Sequence, residues 1–208
     1  MTISPKQKFI RHILKSFFAI LALAITSSAQ EPVKPNVNFD IKSVKIKNFG
    51  QMDGRFYRGA QPRDRDYSDL ATLGINTIID LRDDSEPTER MLVEAAGMKY
   101  VHIPMVGKKY PTPQATEMFL KTVNDPTTGK FFVHCAGGRH RTGAMGAVYR
   151  YEFYGWDFDR VYKEMKQYDF YTTWGHGAFK DFVKDYYARI QAGPPKPIQD
   201  AGTVKEKQ

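Results

Sequence analysis

The chain has 208 residues, of which 41% are hydrophobic and 26% charged, with 16 glycines and 12 prolines. This composition is typical of a globular protein, and it excludes a wholly disordered chain, a collagen-like chain and, since there is one cysteine, a disulfide scaffold. The net charge is +8, but it falls to +4 without the four basic residues among the first 29. A surplus of that size suits an anionic ligand and predicts no nucleic-acid partner.

The first 29 residues have the three parts of a secretory signal peptide. Lys6, Lys8, Arg11 and Lys15 precede the apolar run 17–25, and small residues follow up to Ala29. We predict cleavage after Ala29, export to the periplasm or the medium, and no stable membrane anchor in the mature protein. An uncleaved membrane anchor is the alternative.

The rest of the chain reads as one domain with short flanks. A polar leader (30–39) precedes a single domain (40–190), and a tail without apolar periodicity (191–208) is predicted to be disordered.

Within the domain, predicted strands and helices alternate. Residues 41–49 alternate apolar and polar side chains, as in an edge strand, and residues 57–62 are expected to close a turn against the loop that follows residue 134. The further predicted strands are 75–81, 99–105 and 131–134, and the predicted helices are 66–73, 86–96, 114–123, 142–154, 158–168 and 178–190. This order predicts an α/β fold whose central, mostly parallel sheet is flanked by helices on both faces. Ligands bind such sheets at the carboxyl ends of the strands.

The turn after strand 131–134 carries the one cysteine, in the string HCAGGRHRTG from His134 to Gly143. Two glycines allow successive N–H groups to point inward, and the following helix adds its N-terminal donors. A thiol in that cradle is expected to ionise and act as a nucleophile, and Arg141 can grip two phosphate oxygens. The pattern therefore predicts covalent phosphoryl transfer.

The string His-Cys-x5-Arg-Thr resembles the signature of the cysteine-dependent protein tyrosine and dual-specificity phosphatases, above all their compact atypical members. The segments FYRGAQP (56–62) and IIDLR (78–82) resemble the opening of bacterial and plant-type members. The resemblance implies Cys135 as nucleophile, Arg141 as phosphate clamp and Thr142 as a hydroxyl that aids hydrolysis of the intermediate. It also implies that His134 orients the loop, that no metal or cofactor takes part, and that phosphate is bound by Ala136, Gly137, Gly138, Arg139, His140 and Arg141.

The family's usual general acid, an aspartate on a loop before the cysteine, has no counterpart, since that region reads HIPMVGKKYP. Asp84, after the 75–81 strand, ranks first as a substitute, with Asp83 beside it. His140 is an alternative, although a fixed positive wall of the pocket is favoured for it. His102 fits a core histidine better, and Asp169 has no motif support.

We therefore predict an exported phosphatase that hydrolyses monoesters through a cysteinyl-phosphate, with phosphotyrosine in proteins as the default substrate. Arg139 resembles a basic residue in phosphatases of inositol phosphates and makes those substrates the main alternative. The missing aspartate leaves open a phosphate-binding module with little catalysis. A rhodanese-like sulfur transferase is disfavoured by His134 and by the Arg-Thr pair.

Overall fold

The computed structural model describes residues 35–36, 39–84 and 87–193. The predicted signal peptide, most of the leader and the tail from 194 onward lie outside the described residues. In the part that is described, no helix is both long and apolar enough to cross a membrane.

Strands and helices alternate along most of the described chain, as the sequence predicts. The strands are β1 (Gly50–Gln51), β2 (Phe56–Ala60), β3 (Thr77–Asp80), β4 (Lys99–His102) and β5 (Phe131–Cys135). The helices are α1 (Asp66–Thr72), α2 (Pro87–Ala95), α3 (Pro113–Asn124), α4 (His140–Tyr154), α5 (Phe158–Gln167) and α6 (Gly177–Ala192). Short 3-10 turns cover Ile41–Ser43 and Pro126–Thr128.

Local signals set several helix boundaries. Gly74 and Gly97 follow α1 and α2 with φ of +81° and +80°, a conformation that costs glycine little. Thr112 accepts a hydrogen bond from the Ala115 N–H at the start of α3, where Pro113 needs no donor. The predicted stops of the first two helices and the proline start of the third are confirmed.

The five strands form one sheet in the order β1-β2-β5-β3-β4, in which only β1 is antiparallel to its neighbour. The central strand β5 pairs Ala60 of β2 with Cys135, and Asp80 of β3 with His134. The carboxyl ends of three parallel strands therefore meet at one edge of the sheet.

Helices cover both faces of this sheet, which confirms the predicted fold class. One face packs Ile78 and Phe132 against α1 and α2, and the other packs Ile79 and Val133 against α3 to α6. Neighbours along a strand thus point to opposite cores, and all four side chains are fully buried. Burial on both faces explains why β3 and β5 read as continuous apolar runs.

The predicted edge strand over 41–49 is wrong. Val44 and Ile46 are buried between exposed neighbours, so the alternation of burial is real. The segment nevertheless belongs to no strand of the sheet, and its regular secondary structure is the 3-10 turn at Ile41–Ser43. A period of two identifies a half-buried extended segment, and it does not say whether a partner strand lies alongside.

The predicted turn over 57–62 is also wrong, because Phe56–Ala60 is the strand β2 beside the centre of the sheet, with all five residues buried, although the segment does lie against residues 136–138, as predicted. Glycine and proline near its end gave the pattern of a turn. At the other end of the chain α6 continues to Ala192, two residues into the predicted tail.

Candidate functional site

Residues 135–141, here called the cysteine loop, connect the end of β5 to the start of α4. The loop forms the floor of a cavity of about 230 Å³. The cavity is lined by Gly107, Lys108, Cys135, Ala136, Gly137, Arg139, His140, Arg141, Tyr171, His176 and Phe179. The site thus lies at the carboxyl edge of the sheet, as predicted, and it contains most of the predicted residues.

The carbonyl groups of three successive loop residues are held from outside the loop. The Gln61 N–H donates to the Ala136 carbonyl at 3.4 Å, the Asn48 Nδ2 to the Gly137 carbonyl at 2.8 Å and the Arg58 Nη2 to the Gly138 carbonyl at 2.7 Å. In a planar trans peptide the N–H points opposite to the C=O. The N–H groups of Gly137, Gly138 and Arg139 therefore face the cavity as an anion cradle.

Gly138 is the loop residue that must be glycine. Its φ is +65°, and a Cβ there would lie 2.3 Å from the Gly59 carbonyl carbon and 2.5 Å from the Ala60 nitrogen. The close approach to β2 is what brings its carbonyl within reach of the Arg58 side chain.

The surroundings of the Cys135 thiol favour its ionised form. Burial raises its pKa, but the hydroxyl and N–H of Thr142, the charge of Arg141 and the Gly137 N–H outweigh burial and bring the pKa below its ordinary value. The Thr142 hydroxyl is fully buried and makes no hydrogen bond that meets geometric criteria among the described residues. Its contribution to the lowered pKa of Cys135 identifies the sulfur as the group that it faces.

Arg141 is anchored by one of its nitrogens. Its Nη1 donates to the Asp83 carboxylate at 2.8 Å and to the Met105 carbonyl at 2.9 Å. Among the described residues, its Nη2 and Nε have no hydrogen-bond partner. The guanidinium is therefore oriented at the cavity with two donors left for an oxyanion.

The prediction that Asp84 serves this site finds no support in the geometry. Asp84 is exposed and lines no part of the cavity, whereas its neighbour Asp83 bonds to Arg141. That bond is the main reason why the pKa of Asp83 lies below its usual range, so Asp83 is an ionised partner of the clamp. The lining of the cavity contains no carboxylate among the described residues.

The prediction of a positive wall at His140 is wrong at neutral pH. Burial, followed by the charge of His176, lowers the pKa of His140 to about 4. Its Nε2 lies 3.0 Å from the Tyr171 carbonyl oxygen, and its ring stacks on His176 with centroids 3.6 Å apart. His140 and His176 therefore form a neutral aromatic wall beside Tyr171 and Phe179.

Positive charge at the mouth of the cavity comes from Lys108 and Arg139. Arg139 lies within 3.6 Å of the Asp169 carboxylate, and its side chain is 28% exposed. Lys108 is exposed, has φ of +64° and packs against Gly175, next to His176. Asp169 thus contacts the cavity indirectly, through a residue of the loop.

His134 belongs to a buried ionic network behind the loop. Its Nε2 lies 2.9 Å from Glu89 and its Nδ1 3.8 Å from Asp80, while Arg82 donates to both carboxylates. Asp80, Glu89 and His134 are close enough to resemble a metal-ligand set. The positive charge that pairs with the two carboxylates is the Arg82 guanidinium, so the cluster fits an ion-pair network better than a metal site. The His102 Nε2 donates to the Arg82 carbonyl at 2.8 Å, so His102 is a satisfied histidine, as predicted.

Sequence reasoning missed several residues of the site, among them Asn48, Arg58, Lys108 and His176. The signals for two of them were present, since Arg58 lies in the FYRGAQP segment and His176 between two glycines. The other two stand in positive-φ turns whose position the pattern does not give.

The chain is similar to several known proteins. A family model described as a DSP-PTPase phosphatase fused to NAD+ kinase matches residues 32–179. Inositol diphosphatase DSP3 of Arabidopsis thaliana is 30% identical over 125 residues, which are 58% of this chain and 61% of DSP3. Inositol diphosphatase SIW14 of Saccharomyces cerevisiae is 27% identical over 134 residues, 60% of this chain and 46% of SIW14. The matched part is thus about half to three-fifths of these relatives' own length.

Two solved structures share the fold. The Siw14 catalytic core has a TM-score of 0.57 at 22% identity, covering 78% of this chain and 94% of that core. P. aeruginosa TpbA, as a cysteine-to-serine variant in complex with pTyr, has a TM-score of 0.59 at 20% identity, covering 79% of this chain and 99% of TpbA.

Proposed function

The chain belongs to the family of DSP-PTPase phosphatase domains, and on that premise we propose that it hydrolyses phosphate esters or anhydrides through a cysteinyl-phosphate formed on Cys135. The observation that carries the proposal is the position of Cys135 and Arg141 in one cavity, where the pKa of the thiol is held below its ordinary value and the guanidinium is anchored by one nitrogen. No metal or cofactor is needed for this chemistry, because the thiolate is itself the nucleophile.

The reaction has two displacements at phosphorus. In the first, the Cys135 sulfur forms a bond to phosphorus and the leaving oxygen departs with its electron pair. The loop N–H groups and the free nitrogens of Arg141 bind the equatorial oxygens, on which negative charge is spread. In the second, water attacks phosphorus, inorganic phosphate is released and the sulfur leaves as a thiolate, stabilised by the Thr142 hydroxyl.

The substrate we favour is an inositol polyphosphate that carries a diphosphate group. A general acid contributes about 10²–10⁴-fold when the leaving oxygen is basic. With no carboxylate in the described lining, the site suits a leaving group that needs no proton. The terminal phosphoryl of a diphosphate leaves from a phosphate whose second pKa is about 6, against about 10 for the phenol of tyrosine. Lys108 and Arg139 would bind the other phosphates of such a substrate.

Phosphotyrosine in proteins is the second candidate, and the aromatic wall favours it. Tyr171, His176 and Phe179 line one side of the cavity, where a flat phenyl ring would pack. TpbA, which shares the fold, has been solved in complex with pTyr.

The test compares kcat/KM for four substrates that differ in the leaving group: an inositol diphosphate, p-nitrophenyl phosphate, a phosphotyrosine peptide and a phosphoserine peptide. We expect the inositol diphosphate to be the best natural substrate and phosphoserine the worst, and phosphocysteine to be trapped by acid quench. Cys135→Ser must abolish all four activities. Binding of inositol phosphates without turnover or phosphocysteine would instead indicate a binding module.

We also propose that the mature protein is exported after cleavage at Ala29, on the strength of the N-terminal sequence pattern. Expression of the full chain in a bacterial host, followed by cell fractionation and N-terminal sequencing, tests this. A mature N-terminus at Gln30 in the periplasm or medium is expected. Recovery of the intact N-terminus in the membrane fraction would favour the uncleaved anchor.

A further inference from the structure

Arg58 is a buried cation directly behind the cysteine loop. It lies on β2, two residues before the residue that pairs with Cys135, and only 1% of it is exposed. Its Nη2 donates to the Gly138 carbonyl at 2.7 Å, and its guanidinium lies over the Tyr168 ring, 4.0 Å from the centroid. None of the ion pairs between described residues includes Arg58.

A buried charge without a countercharge is costly, so the fold must compensate for it elsewhere. Arg150 in the same core is 5% exposed and obeys this rule, since it pairs with Glu164 at 2.6 Å. The Arg58 guanidinium instead contacts the face of one aromatic ring and donates to one backbone carbonyl. Burial lowers the pKa of Arg58 to about 10, which still leaves it charged at neutral pH. Cys135 is among the groups whose charge favours the charged form of Arg58.

The Gly138 carbonyl connects this cation to the cavity. Its hydrogen bond with the guanidinium polarises the peptide between Gly138 and Arg139, and the N–H of that peptide points the opposite way, at the anion cradle. The sulfur thus has Arg141 on the α4 side and Arg58 on the β2 side. Glu164, the acidic group that faces Arg58 from α5, is held by Arg150.

We propose that Arg58 is the second cation of the site, a positioning residue that stabilises the Cys135 thiolate and the bound phosphate through the peptide between Gly138 and Arg139. This inference rests on the proposed function, in which Cys135 is the nucleophile. It assigns an electrostatic role to the arginine of the FYRGAQP segment, which does not line the cavity.

The test is the thiol pKa of Arg58→Gln, measured from the pH dependence of alkylation of Cys135 by iodoacetamide. Glutamine can keep a hydrogen bond and removes the charge, so we expect the thiol pKa to rise by about one unit. Turnover of p-nitrophenyl phosphate below the new thiol pKa should fall by about tenfold. Arg58→Lys, which keeps the charge, should restore most of both. The matched control is Arg55→Gln, because the Arg55 side chain likewise donates to backbone carbonyls, in its case two, but lies at the opposite end of β5.

A second variant decides the matter if Arg58→Gln does not fold. Tyr168→Leu removes the half-buried ring that covers the guanidinium, admits water to it and should raise the thiol pKa by less than Arg58→Gln. An unchanged thiol pKa in folded Arg58→Gln, or in Tyr168→Leu, would overturn the inference. The inference would also fail if Arg58→Lys raised the thiol pKa as much as Arg58→Gln does. Alkylation reads the thiol without turnover, so these results are independent of Cys135→Ser, whose residual activity would instead refute the proposed function.

Discussion

Two adjacent glycines of the cysteine loop allow its geometry to be tested with single methyl groups. Gly138 has φ of +65°, which costs an alanine about 1–2 kcal/mol. Its Cβ would lie 2.3 Å from a backbone carbon of Gly59, so the loop would have to move by about 0.7 Å to restore a separation of 3.0 Å between the two atoms. Misplacement of a reacting group by an ångström can cost about 10²-fold. We expect Gly138→Ala to lower kcat/KM for p-nitrophenyl phosphate by about two orders of magnitude.

Stability should fall in the same variant. Backbone strain and the lost bond between the Gly138 carbonyl and Arg58 together are worth about 2–4 kcal/mol, which lowers Tm by roughly 4–16 °C in a chain of this size.

Gly137→Ala is the matched control. A Cβ at Gly137 would meet only the Arg139 side chain, at 3.8 Å, and no positive φ stands in its way. Its Tm should stay within a few degrees of the wild type and its kcat/KM within a few-fold. Equal losses in both variants would show that the loop is not braced against β2, and the reasoning would fail.

Three further outcomes are expected. Glu89→Gln leaves the buried Arg82 without one of its two carboxylates, so urea denaturation should show a loss of about 3–5 kcal/mol. In the same helix Glu94→Gln breaks only an exposed ion pair, and a loss above about 1 kcal/mol there would contradict this view. Thr142→Val should raise the Cys135 thiol pKa in alkylation assays while Thr142→Ser keeps it low, and equal values for the two would disprove the role of the hydroxyl. Because the folded-state pKa of Cys135 is lowered, thiolate formation contributes stability that is fully present above the unfolded value of about 8.5 and is lost as pH falls through the folded pKa. The stability deficit of Cys135→Ala should therefore be larger at about pH 9 than at about pH 6, and the opposite order would refute the sign.

Signals that act within a few residues made much of the fold and site predictable. Glycines placed the ends of α1 and α2, and apolar runs placed β3 and β5. The cysteine and arginine of the loop were found because strand, glycines and helix start follow one another directly in the sequence.

What could not be predicted depends on contacts between distant segments. Strand β2 contains an arginine and a glycine, which are unusual inside a sheet. The arginine can be buried there because its side chain donates to the Gly138 carbonyl and is covered by the Tyr168 ring. The choice of Asp84 over Asp83 failed for a related reason. Adjacent residues of a turn point in different directions, and only the position of Arg141, 58 residues later, decides which one is engaged.

The brace of the cysteine loop comes from residues 80 and 89 positions earlier in the chain, Arg58 and Asn48. A truncated polypeptide that starts after these residues would still contain the sulfur and the clamp, but it would lack the two side chains that hold the carbonyls of Gly137 and Gly138. The geometry of the loop is therefore a property of the whole domain, and it is complete only when β2 pairs with β5.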